Sequence, residues 1–129
     1  RLYPAIEIGD SRLVDRATAG FLAVCADNSG GTQLVLGDAI TDWRKLDLPN
    51  HTVSLMINGK QVAKGKGRDV MGHPVNALVW LVNQQNGWGA TVPAGSLVAT
   101  GSCTGINIAR PGDHALADFG ETGQVEIRF

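Results

Sequence analysis

The chain has 129 residues, 43% of them hydrophobic, and eleven Lys and Arg against twelve Asp and Glu give a formal net charge of −1. That length predicts one domain over residues 1–129 whose core needs no staples, and the charge balance removes the electrostatic argument for a nucleic-acid or anionic-membrane partner. No stretch approaches the roughly 18 apolar residues of a membrane span, no signal peptide is visible, and Cys25 and Cys103 match no zinc spacing, which leaves two free thiols or one disulfide.

The sequence opens on Arg1 and runs straight into a strand-like segment, so a fragment or a processed product is expected. Seventeen glycines, where about 9 would follow from ~7% usage, predict many turns with short strands between them. Residues 2–8 read as a strand with Ile6 and Ile8 on one face and Tyr3, Ala5 and Glu7 on the other. The apolar run 19–25 fits a buried strand or a short helix, and periodicity does not choose between them. Residues 26–31 form a loop by composition, and 34–36 a short strand. Segments 52–57 and 61–66 flank Asn58-Gly59, a hairpin signal because both residues tolerate positive φ. Val53, Leu55 and Ile57 share a face of the first arm. In the second, Lys60, Val62, Lys64, Lys66 and Arg68 oppose Ala63, Gly65 and Gly67, and this basic row reads as a solvated face rather than a nucleic-acid stripe.

One helix is predicted over 74–86. Pro74 suits its first position, Val75, Leu78, Val79 and Val82 recur as an apolar stripe widened by Trp80 and Leu81, and Gly87 supplies a stop. A turn at 93–95, a buried strand at Leu97–Thr100, a turn at Pro111-Gly112 and strands at 115–119 and 124–129 complete a mainly β, α+β chain with one substantial helix.

Among possible sites, Gly65-Lys66-Gly67 leading towards a helix fails as a phosphate loop, because Gly72 is followed by His73-Pro74 rather than Lys-Ser/Thr. No spacing selects a Ser-His-Asp set, and no G-x-S-x-G elbow exists. His73 reads as a cap or packing residue and His114 as a turn residue. Thr100–Gly105 is a loop of hydroxyls and glycines that fits either an anion site or an ordinary tight turn. Glu7 likewise has two readings. It is a solvated glutamate on an edge strand, paired with Arg12, or it is a metal ligand whose partners lie elsewhere, since a magnesium-type ion needs more oxygens than one residue supplies.

Pro4-Ala5-Ile6-Glu7-Ile8 with Asp10-Ser11-Arg12, then Ala26-Asp27-Asn28-Ser29, Asn58-Gly59, Gly72 through Leu81, Ala94-Gly95, Thr100-Gly101-Ser102, Pro111-Gly112-Asp113 and Asp118-Phe119-Gly120 with Gly123 form an ordered set. This set resembles the 2-keto-4-pentenoate hydratase and 4-oxalocrotonate decarboxylase family of the fumarylacetoacetate hydrolase superfamily. The likeness covers nearly the whole chain and corresponds to the C-terminal half of members roughly twice as long.

The resemblance implies a mixed β-roll or β-sandwich with one main helix, and Mg²⁺ or Mn²⁺ held by three carboxylates. Glu7 matches one of them. The other two come from an upstream Glu-x-Glu that has no counterpart in this sequence, and the family's catalytic lysine and aspartate also lie upstream. Asn28 and Ser29 match a pocket loop, although the relatives' Asp-Asn-Ala-Ser reads Asp27-Asn28-Ser29-Gly30 here and shifts the serine. Gly101, Ser102 and Thr104 match the segment that contacts the bound keto acid. Ser29 and Arg12 are the catalytic candidates, with Arg12 orienting Glu7 or a carboxylate nearby. Glu7 is expected to face an interior cleft shared with the 101–104 loop.

The implied activity is hydration of 2-hydroxypenta-2,4-dienoate to 4-hydroxy-2-oxopentanoate in aromatic hydrocarbon catabolism. Decarboxylation of a 4-oxalocrotonate-type acid is the alternative, and both routes share an enolate. A third reading, of another class, is a catalytically silent fragment or structural subunit. The implied setting is a cytoplasmic homo-oligomer acting on a small 2-oxo or 2-hydroxy dienoate, in complex with a companion pathway enzyme, without nucleic acid or membrane.

Overall fold

Alternating apolar and polar side chains build two antiparallel sheets in the computed structural model, which describes residues 1–129. The elements are β1 (Ala5–Gly9), α1 (Phe21–Ala26), β2 (Gly31–Leu36), β3 (Thr52–Ile57), β4 (Lys60–Lys66), α2 (Pro74–Gly87), β5 (His114–Asp118) and β6 (Gln124–Arg128). The first sheet pairs β1 with β2, and the second has the order β4-β3-β5-β6.

The β3–β4 hairpin turns on Asn58 and Gly59, at φ 52° and 76°. Asn58 also reaches across the sheet. Its Oδ1 accepts from the His114 amide at 2.9 Å and its Nδ2 donates to Asp113 Oδ1 at 2.7 Å. The register shifts once between Leu55 and Met56. Val53, Ala115, Ala117 and Val125 are buried on one face of the larger sheet, where Leu55 pairs with Ala117 and Ile57 with Ala115. Opposite the lysine row, Ala63, Gly65 and Gly67 turn inward as predicted. A Cβ at Gly65 would overlap the Cys103 carbonyl, and one at Gly67 the Leu48 carbonyl. The spacing that superficially resembles a phosphate loop is therefore a pair of close backbone contacts. The two sheets meet where buried Pro4 and Val125 of β6 close on Gly37; a Cβ there would stand 3.0 Å from Val125 Cγ2.

His73 caps α2 as expected, its Nδ1 accepting from the Val75 amide at 3.1 Å. The helix runs through Gly87. It ends on Gly89 at φ 73°, with Gly89 N bonded to Asn86 O and Ala90 N to Gln85 O, so glycine 89 rather than 87 supplies the stop. Other expectations fail as well. No residue of α2 is buried, and Trp80 is 55% exposed, because no other element packs over the apolar stripe. Leu97–Thr100 forms no strand; it has no ladder partner, glycines at positive φ stand on either side at 95 and 101, and Leu97 is 62% exposed. With eleven of 129 residues buried, the core is smaller than the length suggested. The 19–25 run resolves as the short helix α1, with Phe21 and Leu22 exposed. His114 begins β5 instead of lying in the turn, with its Nε2 3.0 Å from Glu126 Oε2. Cys25 and Cys103 are both free, and no helix is long and apolar enough to cross a membrane.

Candidate functional site

Glu7 sits in the middle of β1 opposite Leu34 of β2, on the face away from Ile6 and Ile8. Its side chain enters an open cleft of about 220 Å³ whose walls include Asn28, Thr32, Gln33 and Ala99. Glu7 is exposed and belongs to none of the three ion pairs of the chain, which join Arg12 to Asp27, Lys45 to Asp42 and His114 to Glu126. The anticipated pairing with Arg12 does not occur.

The anticipated interior cleft shared with residues 101–104 is also absent. Ala99 reaches the cleft, but the following loop docks elsewhere. The Cys103 carbonyl lies over Gly65, and a Cβ at Gly101 would meet Val70 Cγ1 at 3.4 Å. The loop hydroxyls serve their own backbone. Ser102 Oγ donates to Gly105 O at 2.9 Å and accepts from the Thr104 amide at 3.1 Å, and Asn107 Nδ2 holds the Thr104 carbonyl at 3.0 Å. Half-burial, with Asp69 adding to it, pushes the Cys103 thiol above its ordinary range.

A second carboxylate, Asp27, organises the rim. Its side chain is 3% exposed. Asp27 Oδ2 accepts from Ser11 Oγ at 2.7 Å, and both oxygens accept from the Arg12 amide at 3.2 and 3.3 Å. Arg12 Nη1 donates to Asp27 Oδ1 and to the Asp27 carbonyl, each at 2.9 Å. The Arg12 side-chain bond, then the Ser11 hydroxyl, hold the Asp27 carboxyl below the usual aspartate range against the opposing effect of desolvation. The next three residues form a left-handed turn, with φ 53° at Asn28, 53° at Ser29 and 79° at Gly30. Asn28 faces the cleft, whereas Ser29 is exposed and does not line it; its carbonyl accepts from Arg16 at 3.1 Å.

Asp27 and Ser11 escaped the sequence reading as site residues. The usable signal was the argument applied to Glu7. A carboxylate closing the apolar run 19–25 must find a partner, and Ser11-Arg12 lies fifteen residues away.

For a divalent cation, this chain offers one free carboxylate at the cleft. No three His, Cys, Asp or Glu side chains converge on a metal-sized space anywhere in it. Six oxygens are wanted by magnesium, so the donor set fits one ligand of a shared cage and not a complete cage.

The profile of the fumarylacetoacetate (FAA) hydrolase C-terminal family matches residues 4–129. A 4-oxalocrotonate decarboxylase of Pseudomonas putida is 31% identical over 128 residues, covering 99% of this chain and 48% of its own. A 2-keto-4-pentenoate hydratase of Paraburkholderia xenovorans (strain LB400) is 32% identical over 128 residues, covering 99% and 47%. The solved structure of the decarboxylase from Pseudomonas putida G7 complexed with magnesium and adipate gives a TM-score of 0.88 at 31% identity, over 98% of this chain and 48% of that one. The same enzyme complexed with calcium and acetate gives 0.85. The chain thus spans about half the length of these relatives. With a family profile aligned from Pro4 to the last residue, and a shared fold at that identity, the chain belongs to the fumarylacetoacetate hydrolase family, in its C-terminal part.

Proposed function

We propose that these 129 residues are the C-terminal portion of a divalent-metal-dependent hydratase that adds water to 2-hydroxypenta-2,4-dienoate. The observation that carries this reading is the unpaired carboxylate of Glu7 in an open cleft, with Arg12 committed to Asp27. In a chain of this family, Glu7 would hold Mg²⁺ or Mn²⁺. The remaining oxygens would come from a second stretch of polypeptide, from the substrate and from water. Bound there, the cation supplies Lewis acidity at a 2-oxo acid.

The chain's own residues then have separable tasks. Glu7 supplies the anionic oxygen. Asn28 presents its main chain and amide to the ligand from the facing wall, although its Nδ2 is already given to the Gly31 carbonyl at 3.1 Å. Thr32 shapes the wall without reacting, since its hydroxyl is bound to the Ile8 carbonyl at 2.7 Å. Ser29 remains a candidate for proton handling at the rim. Gly101, Ser102 and Thr104 remain candidates for the far end of the substrate, reached by way of Ala99 once the loop turns its hydroxyls outward. Arg12 acts on Asp27 and not on Glu7. A homo-oligomeric, cytoplasmic setting in aromatic catabolism belongs to the same proposal.

Decarboxylation of a 4-oxalocrotonate-type acid is the second reading, supported by the likeness to two solved structures of one such decarboxylase. The test incubates the chain with Mg²⁺ or Mn²⁺ and follows the ultraviolet absorbance of the dienoate. Loss of absorbance that disappears in Glu7→Gln supports the hydratase. Release of CO₂ from 4-oxalocrotonate without dienoate hydration replaces it with the decarboxylase. Because this chain supplies one ligand of a shared cage, the assay is run on the chain alone and again with the polypeptide stretch that supplies the remaining carboxylates. Failure of both substrates at saturating metal in the second case overturns the proposal.

A further inference from the structure

The connection between β1 and β2 runs from residue 10 to residue 30 and carries almost no regular structure apart from α1. Such an excursion closes well only where its two ends are tied together. Here the tie centres on one buried carboxylate. Asp27 takes the Ser11 hydroxyl, the Arg12 amide and the Arg12 guanidinium from the departing end, all with donors on residues next to each other. Arg12 continues past Asp27, its Nη2 reaching the Gly31 carbonyl at 3.4 Å, the first residue of β2. The Asp10 amide donates to the Gly30 carbonyl at 2.8 Å and completes the closure.

Between Asp27 and Gly31 stand three successive residues in the left-handed region, two of them not glycine. L side chains rarely adopt that conformation, and it persists only where the surroundings over-determine it. The surroundings here are the Asp27 bonds on one side and the Arg12–Gly31 contact on the other. Arg16 on the Ser29 carbonyl at 3.1 Å, Asn28 Nδ2 on the Gly31 carbonyl at 3.1 Å and the Asp10 amide on the Gly30 carbonyl at 2.8 Å are further supports. A Cβ at Gly30 would stand 3.3 Å from the Asp10 carbonyl, so the turn fits tightly against the departing strand. Asn28, the first of the three, lines the cleft that Glu7 enters from the opposite strand.

We infer that Asp27 is a positioning residue. By gripping Ser11 and Arg12 it holds the Asn28–Gly30 turn in its left-handed form, and so fixes the Asn28 wall of the ligand cleft relative to Glu7. This assignment rests on the cleft being the ligand site proposed above. Asp27 itself touches no ligand, because its carboxylate is enclosed by its own donors. The lowered proton affinity of that carboxylate agrees with a group that stays ionised in its grip.

The experiment uses the ¹⁵N,¹³C-labelled full chain, with Mg²⁺ and 2-oxopentanoate as the unreactive probe. Two readouts are taken together. Backbone chemical shifts of Asn28 and Ser29 report the left-handed turn, and probe titration reports affinity at the Glu7, Asn28 and Thr32 amides. In Asp27→Asn the left-handed shifts are expected to vanish and the probe to bind about tenfold more weakly, while amides of the β4-β3-β5-β6 sheet keep their wild-type positions. Arg12→Gln gives the same pattern and keeps the test open if Asp27→Asn does not fold; Ser11→Thr, which retains the hydroxyl, restores the wild-type values. The inference is overturned if the turn keeps its left-handed shifts in both variants. It is equally overturned if the turn relaxes and probe affinity does not change, which makes the clamp purely structural. Absence of probe binding to the wild-type chain, also when the polypeptide stretch supplying the remaining carboxylates is present, removes the ligand site itself, and with it any positioning role.

Discussion

Replacing Gly65 by alanine tests how the 101–104 loop is held. A Cβ at this position would overlap the Cys103 carbonyl carbon and oxygen, and Asp69 Oδ2 stands 3.0 Å away as a second obstacle. The first obstacle is backbone, which cannot rotate aside as a side-chain tip can. Overpacking a well-filled site costs about 1–3 kcal/mol, and a backbone obstacle puts Gly65→Ala near the upper end of that range. For a domain of this size, ~3 kcal/mol lowers the melting temperature by roughly 10 °C. Gly87→Ala is the control. The new methyl group meets nothing within 4 Å and lies in the last turn of α2, so the change stays within about 1 kcal/mol and on the stabilising side. A local probe accompanies the melt. Cys103 is half-buried and its thiol pKa is raised by burial and by Asp69, whereas Cys25 is exposed. Lifting the loop off β4 speeds disulfide exchange at Cys103 towards the rate at Cys25 under native conditions. A Gly65→Ala protein that melts within about 2 °C of wild type, with Cys103 still slow, would refute the close approach of that carbonyl.

Asn58→Ala loses two cross-sheet hydrogen bonds and places alanine at φ 52°, an expected cost of about 2 kcal/mol in urea unfolding; Asn58→Gly restores the conformation without the bonds and recovers about half of it. His51 Nε2 stands 2.7 Å from the Phe119 carbonyl and 3.1 Å from Thr122 Oγ1, tying the entry of β3 to the β5–β6 turn. His51→Ala is expected to lower stability by about 1–2 kcal/mol in the same assay, with Phe119 and Thr122 amide exchange rising first. Asp27 has a folded-state pKa below its unfolded value, so its contribution to stability is complete above the unfolded value, near ~3.9, and is lost as the pH falls through the lower folded value. Acid unfolding curves of Asp27→Asn are therefore expected to be shallower below about pH 4, with the lowered carboxyls of Asp15, Asp47 and Asp113 keeping the rest of the dependence, and an unchanged acid limb would contradict the clamp.

Local chemistry made part of the fold readable. Asn58-Gly59 fixes a turn because both residues accept positive φ, and Pro74 with His73 fixes a helix start because the missing proline amide and the imidazole settle the first-turn donors. Alternation placed Val53, Leu55 and Ile57 on a single face, and the sheet register confirms it. Leu97–Thr100 shows where such rules stop. Three apolar residues and a threonine state a preference for cover but carry no period, and tertiary partners decide whether they pair as a strand. The glycines at the end of β4 and just beyond it show a different limit. Gly65 and Gly67 look like a ligand loop in sequence because small residues serve close approach of any group, and here that group is protein backbone.

The site was legible in the same uneven way. Glu7 stood out because a carboxylate among isoleucines needs a reason, but the strand period alone could not say whether Arg12 would neutralise it. Asp27 decides that. The guanidinium is held at 2.9 Å by a buried carboxylate, and the Glu7 side chain is left without an ion-pair partner and open to whatever enters the cleft. The same shortage of partners recurs on α2, whose Leu78, Val79 and Trp80 stand exposed while Val75, Leu81 and Val82 are only partly covered. Hydrophobic periodicity reports that a face needs a neighbour, and a lone carboxylate reports that a charge needs one. Neither identifies the neighbour. For a chain spanning about half of each relative it matches, both demands fit the proposal that further polypeptide meets them: apolar surface against α2, and acidic oxygens converging on Glu7.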